Sequence, residues 1–203
     1  MKLTLLLAIS FLIAAADGPN GGAAQTPGAT VDRQPGTSSL LARPLETFAT
    51  EVEVGDEAPD FSYQGVDGRW LRFEDILTQG PVLLVFGADE RSMRMIEHER
   101  DRLMDLSVVP VVVTDVRSGA ARAMVSRFNL QYTVLSDARG TIASQYNAVD
   151  PTNGRHRPAW FVIDTKRRVR GLGRRALPVR GYPALAASAL GVPAPGATVP
   201  VSK

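Results

Sequence analysis

The 203-residue sequence contains no cysteine. That absence excludes thiolate nucleophiles, disulfides and thiolate metal sites, because each requires an ionisable sulfur. Five methionines are present, but a thioether cannot ionise, and its sulfoxide needs a dedicated reductase to return it. Histidine is almost as scarce: His98 and His156 are the only two. Glu97, Glu99 and Asp150 stand near them in sequence, yet the spacing fits no known ligand pattern, and both histidines read as solvated surface residues. Charge of one sign is also lacking, since 23 Lys and Arg against 21 Asp and Glu leave a net +2. Bulk charge therefore selects no partner. No apolar run reaches the roughly 18 residues needed to cross a bilayer.

What is present begins with a short apolar run, residues 3–13, preceded by Lys2 and followed by Ala14, Ala15 and Ala16. That order has the form of a secretory signal peptide over residues 1–16. A lipid anchor at the same place would need a cysteine. The expectation is export to a periplasmic or extracellular location, with no stable membrane insertion after cleavage. Residues 17–50 are rich in Gly, Pro, Ala, Thr and Ser and carry few large apolar side chains, a composition that reads as a disordered leader. Residues 193–203, with three prolines among small residues, read as a flexible tail. The folded domain is expected over residues 51–192.

Within it, strand and helix signals alternate. Asp67-Gly68 between two apolar stretches predicts an early hairpin. PVLLVF (81–86) and VVPVVVT (108–114) are continuous apolar runs of strand length, as expected for strands covered on both faces. Between them, Met93, Ile96, Leu103 and Leu106 recur at helical spacing, which predicts one amphipathic helix over 90–106 and a βαβ unit. Further helices are predicted over 120–128, 138–146 and 182–190, a short strand at 133–135, and a closing hairpin from 160–163 and 169–172.

The order of these elements, together with five phrases, resembles the redoxin superfamily: the peroxiredoxins of the alkyl hydroperoxide reductase and thiol-specific antioxidant group and the thioredoxin-like oxidoreductases. The phrases are VGDEAPDF (54–61), DGRWLRFEDIL (67–77), GPVLLVFGA (80–88), SRFNLQYTVLSDARGTIASQYNAV (126–149) and RPAWFVIDTKRRV (157–169). The resemblance implies an α/β thioredoxin-like fold, with a central mixed sheet flanked by helices and an N-terminal β-hairpin. It also implies that the site lies at the start of the helix after the central strand. Counted from Phe86, Ser92 falls where peroxiredoxins carry a threonine and Met95 where they carry the peroxidatic cysteine. A one-residue shift puts Arg94 there, and the paired cysteines of the thioredoxin-like branch would fall at Arg91 and Arg94. No register supplies a thiol. Arg157 matches the family's strand arginine, and Pro158 the proline whose preceding bond is cis.

Asp89 and Glu90 would place carboxylates at the helix start that otherwise favours a thiolate, Asp89 as an ordinary N-cap. An ion pair from Arg157 to one of them is expected across the former site, with a small-anion site there as the alternative. Ser92 lacks both the strained elbow and the positioned base of a hydrolytic nucleophile. Lys166, Arg167, Arg168, Arg170, Arg174, Arg175 and Arg180 form the densest basic feature. Without interleaved aromatics they read as a solvated hairpin face, not a nucleic-acid surface. The sequence implies no cofactor. Three functions stay open: a degenerate redoxin that docks an envelope protein or peptide, a member acting with a cysteine-bearing partner, and an enzyme with replaced chemistry.

Overall fold

The computed structural model describes residues 51–65 and 67–195; the signal-peptide and leader readings, and the tail beyond residue 195, lie outside them. A two-stranded antiparallel hairpin, β1 (Ser62–Gln64) and β2 (Trp70–Arg72), leads into the short helix α1 (Phe73–Leu77). The main sheet has five strands: β3 (Val82–Phe86), β4 (Val109–Thr114), β5 (Thr133–Ser136), β6 (Ala159–Ile163) and β7 (Val169–Arg174), in the order β5-β4-β3-β6-β7. Helices α2 (Glu90–His98) and α3 (Arg100–Asp105) make the crossover from β3 to the parallel strand β4. Helix α4 (Ser118–Phe128) makes the crossover from β4 to the parallel strand β5. Helix α5 (Thr141–Gln145) follows, β6 and β7 pair antiparallel, and α6 (Tyr182–Leu190) closes the chain.

The apolar run of β3 makes it the central strand, fully buried between β4 and β6. Its alternation separates two cores. Val82, Leu84 and Phe86 point into one, where Phe86, Phe161 and Tyr146 pack as an aromatic group against α5 and Phe73 of α1 stacks on Phe61. Leu83 and Val85 point into the other, against Met93, Ile96 and Leu103 of α2 and α3 and Tyr182 of α6. Buried side chains of this size each contribute roughly 1.5–3 kcal/mol by leaving water.

Two predicted helices differ in extent, and buried carboxylates explain both. The helix expected over 90–106 breaks at Glu99, whose φ and ψ are −96° and 2°. Its side chain, 7 % exposed, accepts from Gly181 N at 2.9 and 3.0 Å and from Tyr182 N at 2.9 Å, capping the start of α6. The helix expected over 138–146 begins only at Thr141. Asp137, completely buried, accepts from the amides of Thr141, Ile142 and Ala143 at 2.7, 3.0 and 2.9 Å. It therefore serves as the anion at that helix start.

Much of the basic run belongs to the hairpin itself. Arg167 pairs with Glu57 and lies 3.8 Å from Asp60, while Arg170 lies 3.8 Å from Asp164. Backbone bonds from Gly55 N to Val169 O and Ala58 N to Arg167 O, both 2.8 Å, fix the start of the described chain along β7.

Candidate functional site

The loop leaving β3 is shaped by Gly87. Its φ is +61°, and a Cβ there would stand 2.8 Å from Arg157 C and Pro158 N. Only glycine lets the loop lie against the Arg157-Pro158 backbone. The next turn begins α2, and Asp89 is its N-cap as expected: Oδ1 accepts from Ser92 N at 2.8 Å. The Ser92 hydroxyl and amide together hold the Asp89 carboxyl below its usual range. The free amides of the helix start thus already face an anion.

The other candidates separate around this cap. Ser92, half-buried, lines a recess of about 320 Å³ together with Gly87, Asp89, Arg91 and Pro158, and with Leu177, Pro178 and Val179. Behind Ser92 lies Tyr182, whose enclosed hydroxyl has no well-aligned hydrogen bond. Burial pushes that phenol up to about 12, and contact with Ser92 opposes the rise. Glu90 turns to Arg94, 3.0 Å away one helical turn on, and the Arg94 guanidinium stacks 4.5 Å above the Phe128 ring. Met95 is half-buried against the α2 side of the core. With Asp89, Glu90, Arg91 and Arg94 it lines a second, open depression.

Arg157 reaches neither. Its Nη2 donates to Asn147 O at 3.4 Å, and it opens on a different recess. The expected ion pair with Asp89 or Glu90 is not formed, because Asp89 is engaged by Ser92 and Glu90 by Arg94. The bond preceding Pro158 is trans, where the resemblance implied cis. For an X-Pro bond the two isomers differ by only about 0.5–1 kcal/mol. Bonds from Arg157 N to Ala148 O at 2.8 Å and from Arg175 N to Pro158 O at 2.9 Å accompany the trans form.

The two histidines also part company. His98 is exposed, as read from the sequence, but His156 is buried. Its Nε2 stands 3.4 Å from Asp137 Oδ2 and its Nδ1 3.4 Å from Val113 O, with the ring edge-on to Phe86. A lone histidine in sequence carries no pattern that announces such a place. Among the described residues no group of three or more His, Asp or Glu is placed to hold a metal ion. Neither histidine lines the Ser92 recess, so Ser92 has no imidazole base there. Leu177, Pro178 and Val179 went unmarked in the sequence because they lie in a loop without a motif.

With the fold and this geometry in view, comparison with known proteins is decisive. Residues 54–172 match the model of the AhpC/TSA family. The chain belongs to that family. It is 33 % identical over 133 residues to the Mycobacterium tuberculosis protein Rv1608c, provisionally named a peroxiredoxin; the match covers 58 % of this chain and 82 % of that one. It is 29 % identical over 107 residues to a Coxiella burnetii protein, bcp, also provisionally a peroxiredoxin, covering 50 % and 71 %. Among solved structures, peroxidoxin BcpB of M. tuberculosis superposes with a TM-score of 0.62 at 23 % identity, over 70 % of this chain and 96 % of that one. The reduced 2-Cys peroxiredoxin of Plasmodium vivax gives 0.59 at 18 %, over 68 % and 94 %. These likenesses establish the thioredoxin-like fold. This AhpC/TSA chain has the scaffold, with its helix start capped by Asp89, but no sulfur able to cycle between thiolate and sulfenic acid.

Proposed function

We propose that this chain is an exported, non-peroxidatic AhpC/TSA member that works by binding: the recess at the start of α2 docks an extended segment of an envelope protein or peptide. The observation that carries the reading is the carboxylate cap of Asp89 on Ser92 N, set beside an open recess. The cap occupies the electropositive helix end that would otherwise lower a nucleophile's pKa, so it favours a stable scaffold over a reactive one. Leu177, Pro178 and Val179 supply apolar surface, Val179 being 58 % exposed. Export is supported by Lys2, the apolar run 3–13 and Ala14 to Ala16.

Site-specific photocrosslinking tests the docking. A benzophenone side chain at Val179 or Arg91 should give the same discrete adduct with an envelope polypeptide. One at Trp70, which is more exposed at 74 % but lies on the β1-β2 hairpin, should give none. Equal labelling from all three positions, or no adduct from any, would contradict the reading.

A further inference from the structure

Arg157 opens, with Arg174 and Arg175, on a recess of about 270 Å³ whose walls also include Glu51 and Asn147. Hairpin register brings the three arginines together. Residue 157 stands two positions before Ala159, and Ala159 pairs with Arg174 at the end of β7. Arg175 N then donates to Pro158 O at 2.9 Å, which fixes Arg175 at a φ of 78°, a conformation uncommon outside glycine. The backbone at the ends of β6 and β7 therefore places all three arginines on the wall of one cavity.

Their charge is incompletely matched. Glu51 is the one carboxylate in the recess, and its Oε1 lies 3.2 Å from Arg174 Nε. The contact is out of line for a hydrogen bond, and that Nε is enclosed without one. The other end of Arg174 is engaged, by Val52 O at 2.5 Å and the face of Phe161 at 5.5 Å. Arg157 and Arg175 have no carboxylate within ion-pair distance among the described residues. Within the recess three cations face one anion, and Asp150, outside it, offsets Arg157 only through space, so net positive charge remains. Planar guanidinium forks match the oxygens of phosphate and carboxylate. The cavity is smaller than the roughly 300 Å³ at which drug-sized sites begin, so the ligand is small.

We propose that this recess binds a compact dianionic oxyanion of the phosphate class, held by Arg157 and Arg175 with the Nε of Arg174 as a further donor. Glu51 is a resident competitor for the same cations. This recess shares Pro158 with the docking recess, but its charged side chains are its own, and the proposal does not depend on the docking reading.

Titration calorimetry of the purified full chain with inorganic phosphate, at an ionic strength fixed with chloride, tests the assignment. Saturable one-site binding is expected, weakened at least tenfold by Arg157→Gln or Arg175→Gln. Both side chains are exposed, so each variant should keep the parent melting temperature. Glu51→Gln should tighten binding several-fold by removing the competing carboxylate, and acetate should bind at least tenfold more weakly than phosphate. Heats no different from matched chloride, unchanged phosphate affinity in the double variant Arg157→Gln/Arg175→Gln, or a preference for acetate would each overturn the assignment.

Discussion

Replacing Asp137 by asparagine removes charge from a completely buried helix cap while preserving its shape. Oδ1 accepts from Thr141 N, and Oδ2 accepts from Ile142 N and Ala143 N. Asparagine can keep its oxygen at only one of these places. With the oxygen toward Ile142 and Ala143, its amino group faces Thr141 N donor to donor. The two remaining bonds also fall from charge-assisted to neutral strength. Hydrogen bonds to a charged group contribute about 1.5–3 kcal/mol each, so the loss of one and the weakening of two should cost about 2–3 kcal/mol for Asp137→Asn. Alanine leaves all three amides unpaired and should cost at least about 4.5 kcal/mol, a large share of the roughly 5–15 kcal/mol by which domains are stable. Urea unfolding followed by tryptophan fluorescence measures both. Asp75→Asn, on the exposed side of α1, serves as the control and should stay within about 0.5 kcal/mol. An Asp137→Asn variant as stable as that control, with an unchanged denaturant slope, would refute the cap as the reason the helix begins at Thr141.

Gly87→Ala should cost about 2–3 kcal/mol in the same assay, because a Cβ there meets the Arg157-Pro158 backbone at 2.8 Å on a residue of positive φ; a cost under about 0.5 kcal/mol would mean the loop does not rest where described. Asp89→Ala should cost about 1 kcal/mol at pH 7. The folded carboxyl lies below its ordinary value of 3.8, so its stabilisation is present above that value and is lost as pH falls through the folded pKa. The gap between wild type and variant should therefore close in acid, and a gap constant from pH 7 to pH 2 would contradict the ionised cap. Tyr132→Phe removes a bond from the buried hydroxyl to Met93 O at 3.1 Å and should cost about 1 kcal/mol. Tyr182→Phe removes a hydroxyl without an aligned partner and should be near neutral; the reverse order would show that the Ser92 contact is a formed bond.

The sheet was readable because its signals are local. PVLLVF and VVPVVVT have the length and composition expected of strands covered on both faces, and once 82–86 is a strand its alternation sends successive side chains to opposite cores. Asp89 as N-cap was equally local, since a cap needs only its own residue and the next turn. The misreadings concern side chains whose partners come from far along the chain. The period of α2 continues past Glu99, and only the amides of Gly181 and Tyr182, more than 80 positions away, explain the break. His156 is buried by Val113 and Asp137, neither of which marks it in sequence. The direction of Arg157 depends on which face of the β6-β7 end its backbone presents, something a matched phrase does not encode.

The central claim is that this AhpC/TSA chain does not act through thiol chemistry. The direct measurement is hydrogen peroxide consumption by the purified chain, with dithiothreitol or a thioredoxin system as electron donor and with trace metals removed. The account predicts a rate equal to the protein-free blank at every protein concentration, because the chain contains no sulfur that can serve as a thiolate. Peroxide turnover that rises in proportion to the chain and persists after contaminating thiol proteins are alkylated and removed would contradict it.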